Sequence, residues 1–488
     1  MCSTQDWVAR VHLKNFLGIG LEIYLVFYLL AVLIFGIFYQ TEKVNRIIYF
    51  SSICSLLIGI FILLNSLIPN GTFFNGSFVN DNFSNLVKVI ILLITSAVLM
   101  LSYNSLISNK IMFFEFPFLI ICSTLGMLIM VSSSDLLILF VGLELQALPL
   151  YVLASFKRKS LRSSEAGLKF FVLGALSSGL LLYGCSLVYG ATGSINFIEI
   201  SNALISTNEW VLLLGLGFIL SGLAFKLSVV PFHMWAPDVY EGSPTSTTLF
   251  LASVPKIAAL AMTCRLLTTG FESFINGWQQ ILCILALFSI LFGSVAAIAQ
   301  FNLKRLLAYS SISHMGFAII GLASGTPEGI ASLVSYMIIY LVMTVGIFCV
   351  VLTMENFDSN SLNIESLMGL SESKPNLAIL ITFLLCSMAG LPPFLGFFAK
   401  YYVFVAAIDA GLVEVVIFAV IGSVVGSFYY LRLVYFIYFG KSENPAQINM
   451  SKMEYFIFLF ASLFVIVGTF SFFGIEEVVN SAAQSLFR

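Results

Sequence analysis

A succession of apolar runs, each long enough to cross a bilayer, limits this chain to very few folds. A spanning helix needs roughly 20 predominantly apolar residues. About fourteen such runs follow one another, near 16–38, 47–68, 86–107, 112–131, 135–155, 167–190, 210–230, 244–268, 277–300, 306–323, 327–353, 376–405, 412–439 and 453–474. In hydrocarbon the backbone finds no water, so each run must satisfy its own amides as a helix. Only 9% of the residues are charged and 60% are hydrophobic, against roughly 25% charged in soluble domains. The expected fold class is therefore an all-α polytopic membrane protein in a lipid bilayer.

Several function classes drop out. A net charge of −2 provides no field for nucleic acid. No sizeable soluble domain separates the runs, so chemistry on a bulky soluble substrate is not expected here. Cys2, Cys54, Cys122, Cys185, Cys264, Cys283, Cys349 and Cys386 are scattered, mostly in apolar runs, with no CxxC and no Cys/His cluster. Neither a disulfide frame nor an iron–sulfur or zinc site is expected. With no GxGxxG in a strand context, no P-loop and no haem motif, no cofactor is expected in this chain. The first run begins near Phe16 and lacks a small-residue cleavage site after it, so no cleavable signal peptide is expected.

Basic residues assign the sides of the membrane. They follow the odd-numbered helices: Lys43 and Arg46, Lys110, Lys157, Arg158, Lys159 and Arg162, Lys304 and Arg305, then Lys441 and Lys452. The stretches 69–85, 191–209 and 324–326 have none. These even-to-odd loops, and both termini, are expected outside, although Arg10 and Lys14 count against that assignment. In the first outer loop Asn70, Asn75 and Asn82 match the glycosylation acceptor pattern, which an Asn/Ser/Gly-rich loop also produces by chance. Ile195–Ile205 and Glu476–Phe487 read as short amphipathic segments, and Met354–Pro375 as the longest polar loop.

Four charged residues stand well inside the runs: Glu144 on helix 5, Lys226 on helix 7, Lys256 on helix 8 and Lys400 on helix 12. Each costs about 2.5–3.5 kcal/mol on insertion scales, on the order of 10–14 kcal/mol together. Lys226 has Gly222 one turn before it and Pro231 after it. Lys400 lies in GLPPFLGFFAK, and Lys256 directly follows Pro255. Proline deletes a backbone donor and frees a carbonyl, which a membrane tolerates only inside protein or beside a wet cavity. Helices 7 and 12 are thus expected to be broken around a lysine, an arrangement that ion-coupled transporters use. Burial disfavours the charged form of an ammonium group, and a nearby carboxylate favours it. A Glu144–Lys226 pair of variable separation would switch proton affinity, with Lys256 and Lys400 as further stations. Fixed buried ion pairs are the structural alternative, though one carboxylate cannot neutralise three lysines. Lys169 is read as a snorkelling or a relay residue, and His233 and His314 as hydrated links or structural residues. Lys88 and Arg265, near helix ends, are expected to be interfacial anchors, and His12 has no expected role.

The stretches GLELQALPLYVLASF (142–156), EAGLKFFVLGALSSGLLLYG (165–184), FKLSVVPFHMWAPDVYEGSPT (225–245), PKIAAL (255–260), KRLLAYSSISHMGF (304–317) and GLPPFLGFFAKYYVF (390–404) carry a resemblance. Together they resemble the antiporter-like proton-pumping subunits of respiratory complex I. The resemblance implies two inverted five-helix repeats, helices 4–8 and 9–13, with helices 7 and 12 discontinuous. Residues 1–108 would then be helices 1–3, 109–270 the first repeat, 271–440 the second, and 441–488 helix 14 and a tail. It further implies that Glu144 and Lys226 form a modulating pair, Lys256 bridges and Lys400 ends the relay. Partners would be other membrane-arm subunits, antiporter-like and small quinone-linked, in a bacterial inner membrane with both termini periplasmic. Branches of this family differ in carrying lysine or glutamate where Lys400 stands. Lys400, the GLELQALPLY wording and an end soon after helix 14 favour one lysine-bearing branch. The rival expectations are an Mrp-type or stand-alone cation/proton antiporter subunit, and a membrane scaffold.

Overall fold

The structure, a computed structural model, describes residues 15–39, 41–65, 67–204, 209–357, 362–441, 448–470 and 474–487. Cys2, Arg10, His12, Lys14 and Asp358 lie outside the described residues. Helix occupies every expected apolar run. The N-terminal part has α1 (Gly20–Phe38), α2 (Glu42–Leu64) and α3 (Asn82–Ser108), followed by α4 (Glu115–Val131), α5 (Leu136–Ala154) and α6 (Leu161–Thr192). A short α7 (Phe197–Ala203) leads to α8 (Glu209–Leu227), α9 (Trp235–Gly242) and α10 (Thr245–Arg265). Then come α11 (Ile275–Ile298), α12 (Leu303–Ala323), α13 (Pro327–Phe357), α14 (Pro375–Ala389), α15 (Leu395–Asp409) and α16 (Val413–Phe439). The chain closes with α17 (Lys452–Val467) and α18 (Ile475–Gln484). Among the described residues, 11 helical stretches are long and apolar enough to cross a membrane, and α4 and α14 are shorter apolar helices.

Burial separates an inner from an outer set. Every residue of α10 is buried, and so is nearly all of α12. Outer helices instead expose large apolar side chains, such as Phe35 at 57% and Phe439 at 72%. Water would penalise such a surface, whereas acyl chains match it. The polar central helices are thus shielded from lipid by apolar ones. The expected amphipathic tail is α18, whose Val479, Ala482 and Ala483 are buried.

Two expectations are corrected. The loop after α2 is an antiparallel hairpin, β1 (Gly71–Phe73) with β2 (Phe78–Asn80), a small departure from an all-helical fold. Phe73 and Phe78 are buried, and the Val79 amide donates to Ser132 O at 2.8 Å, so the hairpin docks on the α4–α5 junction. Three closely spaced sequons made this stretch read as a polar loop, while its inward-facing phenylalanines hold it down.

Lys88 and Arg265 are the second correction, because neither is an interfacial anchor. Lys88 on α3 is fully buried, with its ammonium 2.7 Å from Glu22 of α1 and 3.1 Å from Asn80 Oδ1. Arg265, at the C-terminal end of α10, lies 2.9 Å from Asp81, which caps the start of α3. Burial acts to raise the Asp81 carboxyl, but Arg265 and Ser84 outweigh it and hold that group below the usual carboxylate range. The two ion pairs tie α1 and α10 to α3.

Removing one partner of a buried pair strands the other charge, at a cost of about 3–5 kcal/mol. Lys88→Met is expected to lose stability on that scale, and Glu22→Leu added to it to recover most of the loss. Melting of the purified protein in detergent checks this, and equal melting of parent and single variant would contradict it.

Candidate functional site

The break between α8 and α9 fixes the first part of the site. Lys226 occupies the last turn of α8, and the chain then unwinds through Ser228, whose φ is +58°, and Pro231, which follows a cis bond. The freed backbone groups find partners. The Trp235 indole donates to Phe225 O at 2.9 Å, and the Val230 amide donates to Ser289 Oγ of α11 at 2.9 Å. The buried Lys226 ammonium donates to the Tyr151 hydroxyl at 3.2 Å and lies 5.6 Å from the Tyr151 ring centre. Glu144, two turns before Tyr151 on α5, accepts a hydrogen bond from Ser178 of α6. No ion pair joins Glu144 to Lys226 among the described residues.

Lys256 sits at the middle of the fully buried α10. Pro255 cannot donate to Leu251 O, and Tyr240 of α9 supplies a hydroxyl there at 3.4 Å. The Lys256 ammonium donates to Ser228 Oγ at 3.1 Å, which places it against the α8–α9 break, and to Ser311 Oγ of α12. Ser311 also accepts the Tyr340 hydroxyl of α13 at 3.1 Å. One turn further along α12, His314 is buried between two tyrosines. Its Nδ1 is 2.6 Å from Tyr336 O–H and its Nε2 is 3.0 Å from Tyr430 O–H, while Tyr430 in turn meets Ser310.

The second break lies between α14 and α15, with Gly390 at φ +80° and a cis Pro392–Pro393 bond. Ser387 Oγ accepts the Gly396 amide at 3.0 Å across it. Lys400 of α15 turns back to this break: its ammonium is 2.8 Å from Ala389 O, 2.9 Å from Ser423 Oγ of α16 and 4.9 Å from the Phe317 ring centre. Ala389 ends α14, so the ammonium meets the negative end of a helix dipole, worth roughly half an elementary charge. The aromatic face adds a further attraction. A Cβ on Gly390 would stand 2.8 Å from Lys400 Nζ, so glycine is what leaves room for the ammonium.

The site is thus four buried hydrogen-bonded islands: Tyr151–Lys226, Ser228–Lys256–Ser311–Tyr340, Tyr336–His314–Tyr430–Ser310 and Ala389–Lys400–Ser423. Glu144, Lys226, Lys256, His314 and Lys400 all lie on or beside them. Lys169 and His233 do not. Lys169 is half-exposed and bridges Glu165 at 2.8 Å and Asp238 at 2.9 Å, and Arg305 also holds Asp238 at 2.9 Å. That cluster pins α9 to α6 and α12. His233 is half-buried, edge-on to Phe292, with Nδ1 unpartnered. The residues that sequence reasoning missed are Tyr151, Ser178, Ser311, Tyr336, Tyr340, Tyr430 and Ser423. Only the Ser-rich stretch YSSISHMG around His314 carried a signal for any of them.

Residues 133–426 match the family model described as NADH:quinone oxidoreductase/Mrp antiporter, transmembrane. NADH-quinone oxidoreductase subunit N of Rhodobacter capsulatus is 46% identical over 95% of this chain and 97% of that relative. The protein of the same description from Pelagibacter ubique is 48% identical over 87% of this chain and 89% of its own length. The chain belongs to the subunit N family of NADH-quinone oxidoreductases. This is the branch expected from Lys400 and the GLELQALPLY wording. A chain of respiratory complex I from Thermus thermophilus with bound aureothin superimposes with a TM-score of 0.79 at 29% identity, covering 94% of this chain and 99% of that one. A chain of the Mrp complex from Dietzia sp. has the same fold, with a TM-score of 0.84 at 20% identity over 97% and 98% of the two chains.

The first break depends on Ser289, which among the described residues alone caps the Val230 amide. Ser289→Ala leaves a buried donor unpaired, which costs about 1–3 kcal/mol. A lower melting temperature is expected for Ser289→Ala, with Ser289→Thr close to the parent. An unchanged melt in Ser289→Ala would show that the amide finds another partner.

Proposed function

We propose that this subunit moves protons across a bacterial inner membrane through Glu144, Lys226, Lys256 and Lys400, driven by electron transfer from NADH to quinone in neighbouring subunits of complex I. The chain then acts as a translocase subunit whose redox chemistry and cofactors reside elsewhere. Its partners are antiporter-like and small quinone-linked membrane-arm subunits. Both termini face the periplasm in this reading, and the two broken helices belong to two inverted five-helix repeats. Lys157, Arg162 and Lys304, in and just after two of the odd-to-even loops, line one surface cavity of about 510 Å³, which fits the assignment of these loops to a common cytoplasmic side.

One observation carries the proposal. Lys226, Lys256 and Lys400 are each at most 8% exposed, and none is within ion-pair distance of a carboxylate among the described residues. A scaffold of fixed ion pairs would give each lysine a carboxylate, as Lys88 and Arg265 have. Here the ammonium groups rest on hydroxyls, a carbonyl and aromatic faces, all neutral. Neutral partners let a lysine gain or lose its proton without stranding an opposite charge. Lys226 starts the line beside Glu144, Lys256 continues it through Ser228, and His314 with its tyrosines lies between Lys256 and Lys400. His314 can donate from one ring nitrogen while accepting at the other, so it is the link of this relay, and water or side-chain movement joins the islands.

Proton pumping and NADH–quinone turnover measured together in vesicles test the proposal. For Glu144→Ala, Lys226→Ala and Lys400→Ala both are expected to fall together, while NADH oxidation by an artificial acceptor survives. Unchanged pumping in all three would defeat it.

A further inference from the structure

Glu144 and Lys226 each bind a neutral hydroxyl in place of the other. Tyr151 takes the ammonium, and Ser178 donates to the carboxylate. The two hydroxyls belong to one helix pair. Tyr151 lies two turns after Glu144 on α5, and Gly174 lies one turn before Ser178 on α6. The short connection between α5 and α6 makes them antiparallel neighbours, so Gly174 stands opposite Tyr151 as Ser178 stands opposite Glu144. A Cβ on Gly174 would run into the Tyr151 hydroxyl and stand 2.6 Å from its Cζ. The missing side chain is therefore what seats that hydroxyl. Phe170 and Phe171 hold the tyrosine ring edge-on, with centroids at 4.8 and 5.7 Å. The hydroxyl is fixed by its own surroundings, independently of Lys226.

We propose that Tyr151 and Ser178 form a latch that holds Glu144 and Lys226 apart, each hydroxyl stabilising one charge of the separated pair. They are positioning residues: neither gains nor loses a proton, and each acts through the charge it holds. This inference rests on reading Glu144 and Lys226 as a switch pair. A two-state element responds only to groups that favour one state over the other. Both hydroxyls bond the charges when these are separated, so the latch biases the switch toward the open arrangement. Deleting one hydroxyl leaves its charge unpartnered only in that arrangement. A hydrogen bond to a charged group then shifts the ratio of open to closed by about tenfold. The subunit waits longer in the closed pair, and its turnover slows. The route of the proton is unchanged, so the number of protons pumped per electron stays the same.

The test uses the whole enzyme in vesicles, with coupled turnover and the proton-to-electron ratio measured on the same preparation. Tyr151→Phe keeps the ring contacts to Phe170 and Phe171, and Ser178→Ala removes only a hydroxyl, so both are expected to assemble. Each is expected to slow coupled turnover by about tenfold at an unchanged ratio. Ser178→Thr should restore most of the rate lost in Ser178→Ala. Gly174→Ala, which displaces the Tyr151 hydroxyl without removing it, should behave as Tyr151→Phe does. Lys226→Ala is run alongside. If it pumps normally, the switch-pair reading fails and the latch with it. If Lys226→Ala stops pumping but Tyr151→Phe and Ser178→Ala turn over at the parent rate, the latch alone is overturned. A lowered ratio in Tyr151→Phe also overturns it, because the hydroxyl would then belong to the proton path.

Discussion

An ammonium group held out of water without a counter-charge is the interaction on which this structure turns. Insertion scales set its cost at roughly 3 kcal/mol for each lysine, and the chain accepts that cost three times. Everything near Lys226, Lys256 and Lys400 reduces it without neutralising the charge. The second break supplies a carbonyl and a dipole end to Lys400, the serines and tyrosines supply hydroxyls, and Tyr151, Tyr240 and Phe317 supply aromatic faces. The apolar outer helices keep lipid away from this polar interior, so the central helices can be rich in serine, threonine and tyrosine.

The contrast with the N-terminal helices shows that the chain can pair charges fully where it needs to. Lys88 with Glu22 and Arg265 with Asp81 are compact ion pairs that join separate helices. Neither pair touches the four islands. Charge therefore stands in two forms in one protein: paired charge joins helices, and in the proposed relay unpaired charge stays free to change its protonation. The surface cluster of Lys169, Asp238 and Arg305 belongs to the first kind, since it clamps α9 from α6 and α12.

Much of this was legible in the amino-acid order. The apolar runs specify helices because hydrocarbon permits nothing else, and Pro231 and Pro393 mark the breaks because proline cannot donate. The lysines within the apolar runs are visible because each is costly there. The missed features share a physical reason. Glu22 and Lys88 are 66 residues apart and Asp81 and Arg265 are 184 apart, so only the folded packing shows that they pair. Tyr151, Tyr336 and Tyr430 lie in apolar runs, where an aromatic core residue and a hydrogen-bonding one look alike. The hairpin at 71–80 was hidden because its phenylalanines are interspersed with the Gly, Asn and Ser residues typical of loops.

Lys256 tests the relay most directly, because it lies between the two breaks and pairs with no carboxylate among the described residues. Lys256→Met keeps the length of the side chain and removes the charge. Replacing buried charge by well-packed apolar groups of similar volume is often neutral or stabilising. The decisive measurement is the proton-to-electron ratio of the assembled Lys256→Met enzyme in vesicles, with its melting temperature taken on the same sample. If Lys256 carries protons, the ratio falls while the melting temperature stays level or rises. An undiminished ratio in an intact, equally stable enzyme would contradict a relay through the central lysine.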